Sequence, residues 1–327
     1  MGGFIVKKIK WGSLGYATMT KDRFIPAVMR TSNSEFYALA SRSDEKLKEC
    51  EETYNCSKLY RSYDELLEDD EVDAVYIPLP NNMHKEWTIK AARKGKHVLC
   101  EKPFALDAYE TEEMIRECEK NNVKLMEAFM YRYSDRIKKV KELLEGGVIG
   151  DIKHINTTFG FFRKRENDYR MQRELGGGAL YDVGSYLANF TSLITEDLPV
   201  SVSAEHIMEN GVDTAFSAVM RYENGIICSA NCWFNAFFRA YSEIIGLKGV
   251  MKIPDTFYGN AGTITIVTSD GTREVEVEES DRYALEVENF ADDILYDRKP
   301  VLGPEETLRN MKLLDMLQAA NYETLKI

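Results

Sequence analysis

A lysine followed by a proline at the end of an apolar run is the first arrangement in this chain with chemical meaning. Lys96-His97-Val98-Leu99-Cys100 leads into Glu101-Lys102-Pro103 inside a strand–helix–strand pattern. A lysine at the C-terminal end of a buried strand is costly to desolvate unless its ammonium has a polar task. In open α/β sheets that end of the strand is where ligands bind. The proline fixes the backbone behind the lysine, and can hold a cis bond, so the ammonium can be aimed. For the tripeptide alone, a surface lysine before a turn is an equal reading.

Three further segments point the same way. Gly12-Ser13-Leu14-Gly15-Tyr16-Ala17 follows a short strand and precedes a helix. Such a turn lets the backbone approach a pyrophosphate and aims a helix N-terminus at it. In the GxGxxG register the segment reads Gly15-x-Ala17-x-x-Thr20, so two glycines are replaced. Ala17 still permits close approach, and Thr20 is placed to cap or to touch phosphate. The next strand ends in Ser41-Arg42-Ser43 where an NAD site would carry an acidic residue. A guanidinium flanked by hydroxyls suits a 2′-phosphate, which predicts NADP(H) over NAD(H). A solvated turn arginine is the alternative, and Asp44 close by keeps NAD(H) open. Pro80-Asn81-Asn82-Met83-His84 follows a third strand, where Asn81 and His84 either cap the next helix or line the nicotinamide ribose pocket.

The elements that must position these residues follow from the patterning. Strands at 8–16, 35–41, 72–79, 97–100 and 124–128 alternate with helices, and Val72–Leu79 is a near-continuous apolar run of the kind buried on both faces. That alternation predicts a doubly wound parallel sheet. After about residue 150 the pattern becomes alternating, in seven segments between Ile152 and Val277. The fold class is therefore α/β: an N-terminal doubly wound parallel sheet plus a C-terminal α+β domain with a large, mostly antiparallel open sheet. We place a dinucleotide-binding domain at 1–128 and a substrate-binding and oligomerisation domain at 129–327. Closing helices are expected at 283–295 and 304–322, the last packing back on the first domain. A free sheet face predicts a homodimer or homotetramer.

With 42 basic and 54 acidic residues the net charge is −12, which argues against a nucleic-acid partner but not against an anionic cofactor in a local pocket. The six cysteines form no CxxC pair and there are four histidines, so a metal site is not expected. Reduced thiols, no signal peptide and no long apolar run predict a cytoplasmic protein without a membrane partner.

Taken together, the chain resembles the Gfo/Idh/MocA oxidoreductase family. The resemblance covers nearly the whole chain. It rests on the Gly12–Ala17 turn, the Pro80–His84 loop, Gly95–Pro103, Met126-Glu127-Ala128-Phe129-Met130-Tyr131-Arg132, and the segment Leu175–Tyr186 with its Gly176-Gly177-Gly178 triplet. It implies an N-terminal Rossmann domain, a C-terminal domain with a large open sheet, and hydride transfer between NAD(P) and a sugar, polyol or related alcohol or carbonyl compound. Where many members carry histidine in an Asp-x-x-x-His pattern, this chain has Asp182 and Tyr186. In that it is similar to the dihydrodiol dehydrogenase, glucose–fructose oxidoreductase, xylose dehydrogenase and sugar 3-ketoreductase branches.

That chemistry needs a group to exchange the hydroxyl proton. A phenol with an ordinary pKa of about 10 is a poor base at neutral pH, and a nearby ammonium lowers it. Tyr186 is thus the expected acid/base and Lys102 its electrostatic partner. Asp182, four residues before Tyr186, shares its helix face and is placed to orient a neighbouring substrate hydroxyl. Arg170 matches an arginine of the dihydrodiol-dehydrogenase-like branch, with substrate binding and a salt bridge both open. Gly12, Gly15, Tyr16, Ala17, Ser41, Arg42, Pro80, Asn81, His84, Glu101 and Lys102 are the expected cofactor set. Glu101 is read as structuring its turn, and Arg132 as a salt-bridge residue. Phe159, Phe161, Phe162, Trp233, Phe234, Phe237 and Phe238 supply candidate pocket walls. Two other readings are a glycosidase that oxidises C3 transiently with retained NAD, and a non-catalytic NADP(H) sensor.

Overall fold

The computed structural model describes residues 7–163 and 168–320. They fall into two compact units. One reaches Met130 and takes back Asp281–Thr307; the other runs from Tyr131 to Ser280 and resumes at Leu308.

The first unit is built on six strands: β1 (Ile9–Leu14), β2 (Ser34–Ala40), β3 (Lys58–Tyr60), β4 (Ala74–Ile77), β5 (His97–Glu101) and β6 (Leu125–Ala128). Their order is β3-β2-β1-β4-β5-β6 and every pair is parallel. This is the doubly wound Rossmann arrangement. The order reverses between β1 and β4, so the crevice beyond their C-terminal ends is a topological switch point. All four residues of β4 are buried, as a strand covered by helices on both faces requires. The helix Arg282–Leu295 belongs to this unit, where Phe290 meets Trp11 with ring centroids 6.0 Å apart. Asn33 Nδ2 fastens that helix through 2.8 Å bonds to Glu288 O and Asp292 Oδ1. Burial of the Phe290 side chain alone contributes about 2 kcal/mol.

The second unit carries an eight-stranded sheet: β7 (Ile152–Gly160), β8 (Ser201–Glu209), β9 (Val212–Arg221), β10 (Ile227–Trp233), β11 (Arg239–Gly246), β12 (Gly249–Pro254), β13 (Gly262–Thr268) and β14 (Gly271–Val277). The order is β14-β13-β12-β11-β7-β10-β9-β8, antiparallel throughout except for the parallel β7–β10 pair. In β10 the alternation puts Cys228, Ala230 and Cys232 inside. The helix Ser185–Thr195, buried along nearly its whole length, packs against that face. Ile207, Val219 and Ile227 stay exposed.

The structure adds elements not expected from the sequence: β3, the short helix Tyr63–Leu67, the helix Asp135–Glu145 and β12. The last helix is seen over Pro304–Ala319; Asn321 and Tyr322, the end of the helix expected at 304–322, lie outside the described residues. Among the described residues no helix is long and apolar enough to cross a membrane, and all six cysteines are unbridged and buried.

Candidate active site

In the first unit, the backbone around Lys102 is held on every side. The Lys102–Pro103 peptide is cis. Before it, Tyr76 Oη on β4 donates to Glu101 Oε1 at 2.6 Å, and Glu101 Oε2 accepts from the Lys102 N–H at 3.3 Å. After it, the His84 ring lies 3.0 Å from Pro103 O through Nδ1 and 2.8 Å from Leu79 O through Nε2. Next along, the Phe104 N–H donates to Glu127 Oε1 at 3.1 Å. Burial raises the Tyr76 pKa, so the phenol stays a donor at neutral pH. Burial also lowers that of His84, against the opposite pull of the backbone carbonyls. The half-buried lysine thus projects from a backbone with little freedom, which is how a charge is pre-organised.

His84 is therefore a tie between two strand ends rather than a cap. Met83, the residue before the helix His84–Arg93, gives that helix no side-chain cap. Asn81 is buried in the short turn Asn81–Met83 that follows Pro80.

The turn after β1 is closed by its own side chains. Gly15, at φ 115°, stands where a side chain would be strained, and its carbonyl accepts from Ser13 Oγ at 2.8 Å and Thr20 Oγ1 at 3.2 Å. Thr20 is fully buried, so its hydroxyl serves the turn and not a phosphate. Tyr16 is buried and Ala17 half-buried beside it. A Cβ at Gly15 would lie 3.3 Å from Leu79 and 3.5 Å from Tyr63 Oη, so three loops converge there. Burial raises the Tyr63 pKa, against the opposite pull of the Arg42 charge. Ser41 Oγ accepts from the Ser43 N–H at 3.2 Å, and Ser43 Oγ caps the helix Asp44–Tyr54. Asp44 is engaged by Arg61 at 2.7 Å.

In the second unit, Gly176–Gly178 leads into a π-turn at Leu180–Gly184 that continues as the helix Ser185–Thr195. Asp182 lies in the π-turn and Tyr186 in the first α-helical turn, so the uniform helix expected from the sequence is wider where the carboxylate sits. Arg170 Nε donates to Asp182 Oδ2 at 2.7 Å, and its other arm reaches Asp168 Oδ1 at 3.4 Å. Arg163 pairs with the far oxygen of Asp168. Burial pushes the Asp168 pKa up, but the Arg170 N–H and the two guanidinium groups pull it down further, so it stays a carboxylate. The Tyr186 ring is 7% exposed and sits among Phe159, Phe257 and Tyr131 at centroid distances of 5.3, 5.4 and 5.8 Å. Such surroundings strengthen any charge interaction at the phenol.

Of the expected aromatic walls, Phe159 stands beside Tyr186. Phe161 meets both Phe159 and Phe234, and Phe237 is exposed. Arg132 is buried and donates to Asn189 Oδ1 at 3.3 Å, where Tyr131 Oη also donates. Tyr63, Tyr76, Glu127 and Asp168 were not singled out by sequence. No cluster of three or more metal-ligating side chains occurs among the described residues.

Comparison with known proteins agrees over both units. A family model described as the oxidoreductase family, NAD-binding Rossmann fold, matches residues 9–129, and the GFO/IDH/MocA C-terminal domain matches 137–252. D-xylose 1-dehydrogenase (NADP(+)) 2 of Haloferax volcanii is 32% identical, over 94% of this chain and 95% of its own. Trans-1,2-dihydrobenzene-1,2-diol dehydrogenase of Xenopus tropicalis is 31% identical over 78% of each chain. A 3-ketoreductase from Actinomadura kijaniata, solved with NADP and TDP-benzene, superposes with a TM-score of 0.90 at 29% identity, over 96% of this chain and 98% of that one. With both domain models and relatives of full length in agreement, the chain belongs to the Gfo/Idh/MocA family of oxidoreductases.

Proposed function

We propose that this protein is an NADP(H)-dependent oxidoreductase that moves hydride between the nicotinamide and a sugar, polyol or related alcohol or carbonyl compound. The observation that carries the reading is the Asp182–Tyr186 segment, with its carboxylate held by Arg170 at 2.7 Å and its phenol set among aromatic rings. The NADP-dependent xylose dehydrogenase and the NADP-bound ketoreductase among its relatives support the choice of cofactor. When bound, the nucleotide supplies the hydride acceptor or donor. The Gly15 turn fits its pyrophosphate, and Ser41 and Arg42 fit a 2′-phosphate.

Tyr186 takes the hydroxyl proton when the alcohol is oxidised and returns it when the carbonyl is reduced. Lys102 supplies the positive charge that makes the phenolate accessible at neutral pH. Asp182 accepts from a neighbouring substrate hydroxyl, and Arg170, bonded to Oδ2, orients the carboxylate that does so. His84, fully buried, acts on the cofactor only through the Leu79 and Pro103 backbones that it ties. The exposed sheet residues Ile207, Val219 and Ile227 support a homodimer or homotetramer. A reducing, cytoplasmic setting suits the six free thiols.

The test incubates wild type and Tyr186→Phe with NADP⁺ or NAD⁺ and a panel of aldoses, cyclitols, glycosides and dihydrodiols, recording reduced cofactor. The expected result is NADPH formation lost in Tyr186→Phe while NADP⁺ still binds. Full activity in the variant sinks the assignment. Glycoside cleavage with retained NAD and no net NADPH selects the transient-oxidation glycosidase, and binding without turnover selects the sensor.

A further inference from the structure

A buried carboxylate in the second unit is left unused by the chemistry above. Asp213, near the start of β9, is 5% exposed, and its Oδ2 accepts from the backbone N–H of Leu180 at 2.7 Å. The nearby N–H groups of Ala179 and of Asp213 itself also favour its charged form. Ala179 and Leu180 head the segment that carries Asp182 and Tyr186. Their N–H groups are among those that a helix start leaves without internal partners.

A cap usually comes from the residue just before the helix. Here the cap reaches Leu180 from 33 positions further along the chain, and the residue before Ala179 is Gly178. The structure gives the reason for that glycine. Gly178 takes φ 118°, and a Cβ on it would stand 2.1 Å from Asp213 Oδ1. On the other side, the Gly178 N–H donates to Arg170 O at 2.8 Å, and a Cβ on Gly177 would lie 2.5 Å from that oxygen. The glycine turn is thus gripped between the Asp213 carboxylate and the backbone of the arginine that holds Asp182.

We propose that Asp213 is a positioning residue: anchored in β9, it fixes the start of the helical segment so that Asp182 and Tyr186 are presented in one register, and Gly178 is the space that lets it do so.

The anchor has a pH signature. Burial pushes Asp213 up to about 6, against the opposite pull of the Leu180, Asp213 and Ala179 N–H groups. The ionisable groups around it are Cys232 of β10, whose thiol burial and the charges of Asp213 and Asp182 push up, then Asp182 itself and Arg170. A neutral carboxyl is a weaker acceptor, so the anchor loosens as the pH falls through about 6. The fold responds with the opposite sign. The native chain binds this proton more tightly than the unfolded chain does, so Asp213 makes the fold more stable as the pH falls.

The inference rests on Tyr186 being the acid/base, and the experiment separates the two. Full-length wild type, Tyr186→Phe, Asp213→Asn, Asp213→Ala and Gly178→Ala are compared with D-xylose and NADP⁺, or with whichever panel compound gave Tyr186-dependent NADPH. The expected kcat falls about tenfold in Asp213→Asn, which keeps one acceptor oxygen, and about 100-fold in Asp213→Ala and Gly178→Ala. The KM for NADP⁺ moves by less than about twofold, and the acid limb of kcat disappears in Asp213→Asn. Amide exchange over 179–184 is expected to speed up by about tenfold in Asp213→Asn, with or without a substrate. An Asp213→Ala enzyme within about twofold of wild type, while Tyr186→Phe is dead, overturns the inference. So does equal loss of cofactor binding, kcat and cooperative unfolding in Asp213→Asn. An inert panel fells the reading of Tyr186 first, and unchanged exchange at 179–184 then fells the anchor as well.

Discussion

Arg170 donates through Nε to Oδ2 of Asp182 at 2.7 Å, so the carboxylate assigned to the substrate already has one oxygen spoken for. The salt-bridge reading of Arg170 is the one the structure records, and it is compatible with the role proposed for Asp182 toward a substrate hydroxyl. Arg170→Met is expected to lower kcat/KM about 100-fold and to cost about 2 kcal/mol of stability, since it removes a charge-assisted hydrogen bond to a buried carboxylate. Steady-state kinetics and urea unfolding check both. The double variant with Asp182→Asn should lose less than the two single losses combined, because the pair acts as a unit.

Arg42 is exposed, so its removal should not disturb the fold. In Arg42→Ala, kcat/KM with NADP⁺ is expected to fall about 10- to 100-fold while the value with NAD⁺ stays put, the worth of a charge-assisted bond to a phosphate. Thermal melting should be unchanged. An unaltered NADP⁺/NAD⁺ ratio would return this arginine to solvent.

Tyr76→Phe removes the phenol that holds Glu101 Oε1 at 2.6 Å. A half-buried carboxylate then loses a donor and the backbone of Lys102 gains freedom. The expected outcome is a loss of about 1–2 kcal/mol in stability and about tenfold in kcat. Chemical denaturation and single-turnover kinetics read the two effects separately.

His97 gives the first unit an acid sensitivity of its own. Burial pushes its pKa down to about 4, and its Nδ1 accepts from the Lys124 N–H at 2.9 Å. The unfolded chain takes up a proton below its ordinary value of about 6.5, while the folded chain resists until about 4. The contribution is therefore complete above about 6.5 and is lost as the pH falls toward 4, to a depth of about 3 kcal/mol. Asp213 and Asp293, both pushed up to about 6 by burial, act with the opposite sign between that value and about 4. The difference between the stability curves of wild type and His97→Asn isolates the histidine. A flat difference across that window would rule the account out.

Much of the first unit is legible because strands covered on both faces make continuous apolar runs, as β4 does inside Val72–Leu79. In the second unit, alternation reveals seven strands but misses β12, which follows β11 after only two residues. The helix Asp135–Glu145 also went unread, although Ser134 caps it and Ile137 and Val140 mark its buried face. Among the proposed site residues, Lys102 is marked by its place at the end of an apolar strand, and Asp182 and Tyr186 by the family resemblance. Their supports are not marked. His84 reaches a carbonyl 19 positions away, Glu127 serves an N–H 23 positions away, and Asp213 serves one 33 positions away. An inward carboxylate on a strand carries no local mark of a partner so distant. Thr20 shows the reverse error: its place beside a phosphate-type turn suggested a ligand, and its hydroxyl closes the turn instead.

The first unit is assembled from two stretches of chain, the second of them Asp281–Thr307. Phe290 completes the cover over Trp11, and Asn33 finds its partners at Glu288 and Asp292. During synthesis, then, the six-stranded sheet leaves the ribosome before its covering helix and waits, with a flank uncovered, until residues 281–307 have been made. A fragment cut after residue 128 should behave like that nascent chain and seek other apolar surfaces.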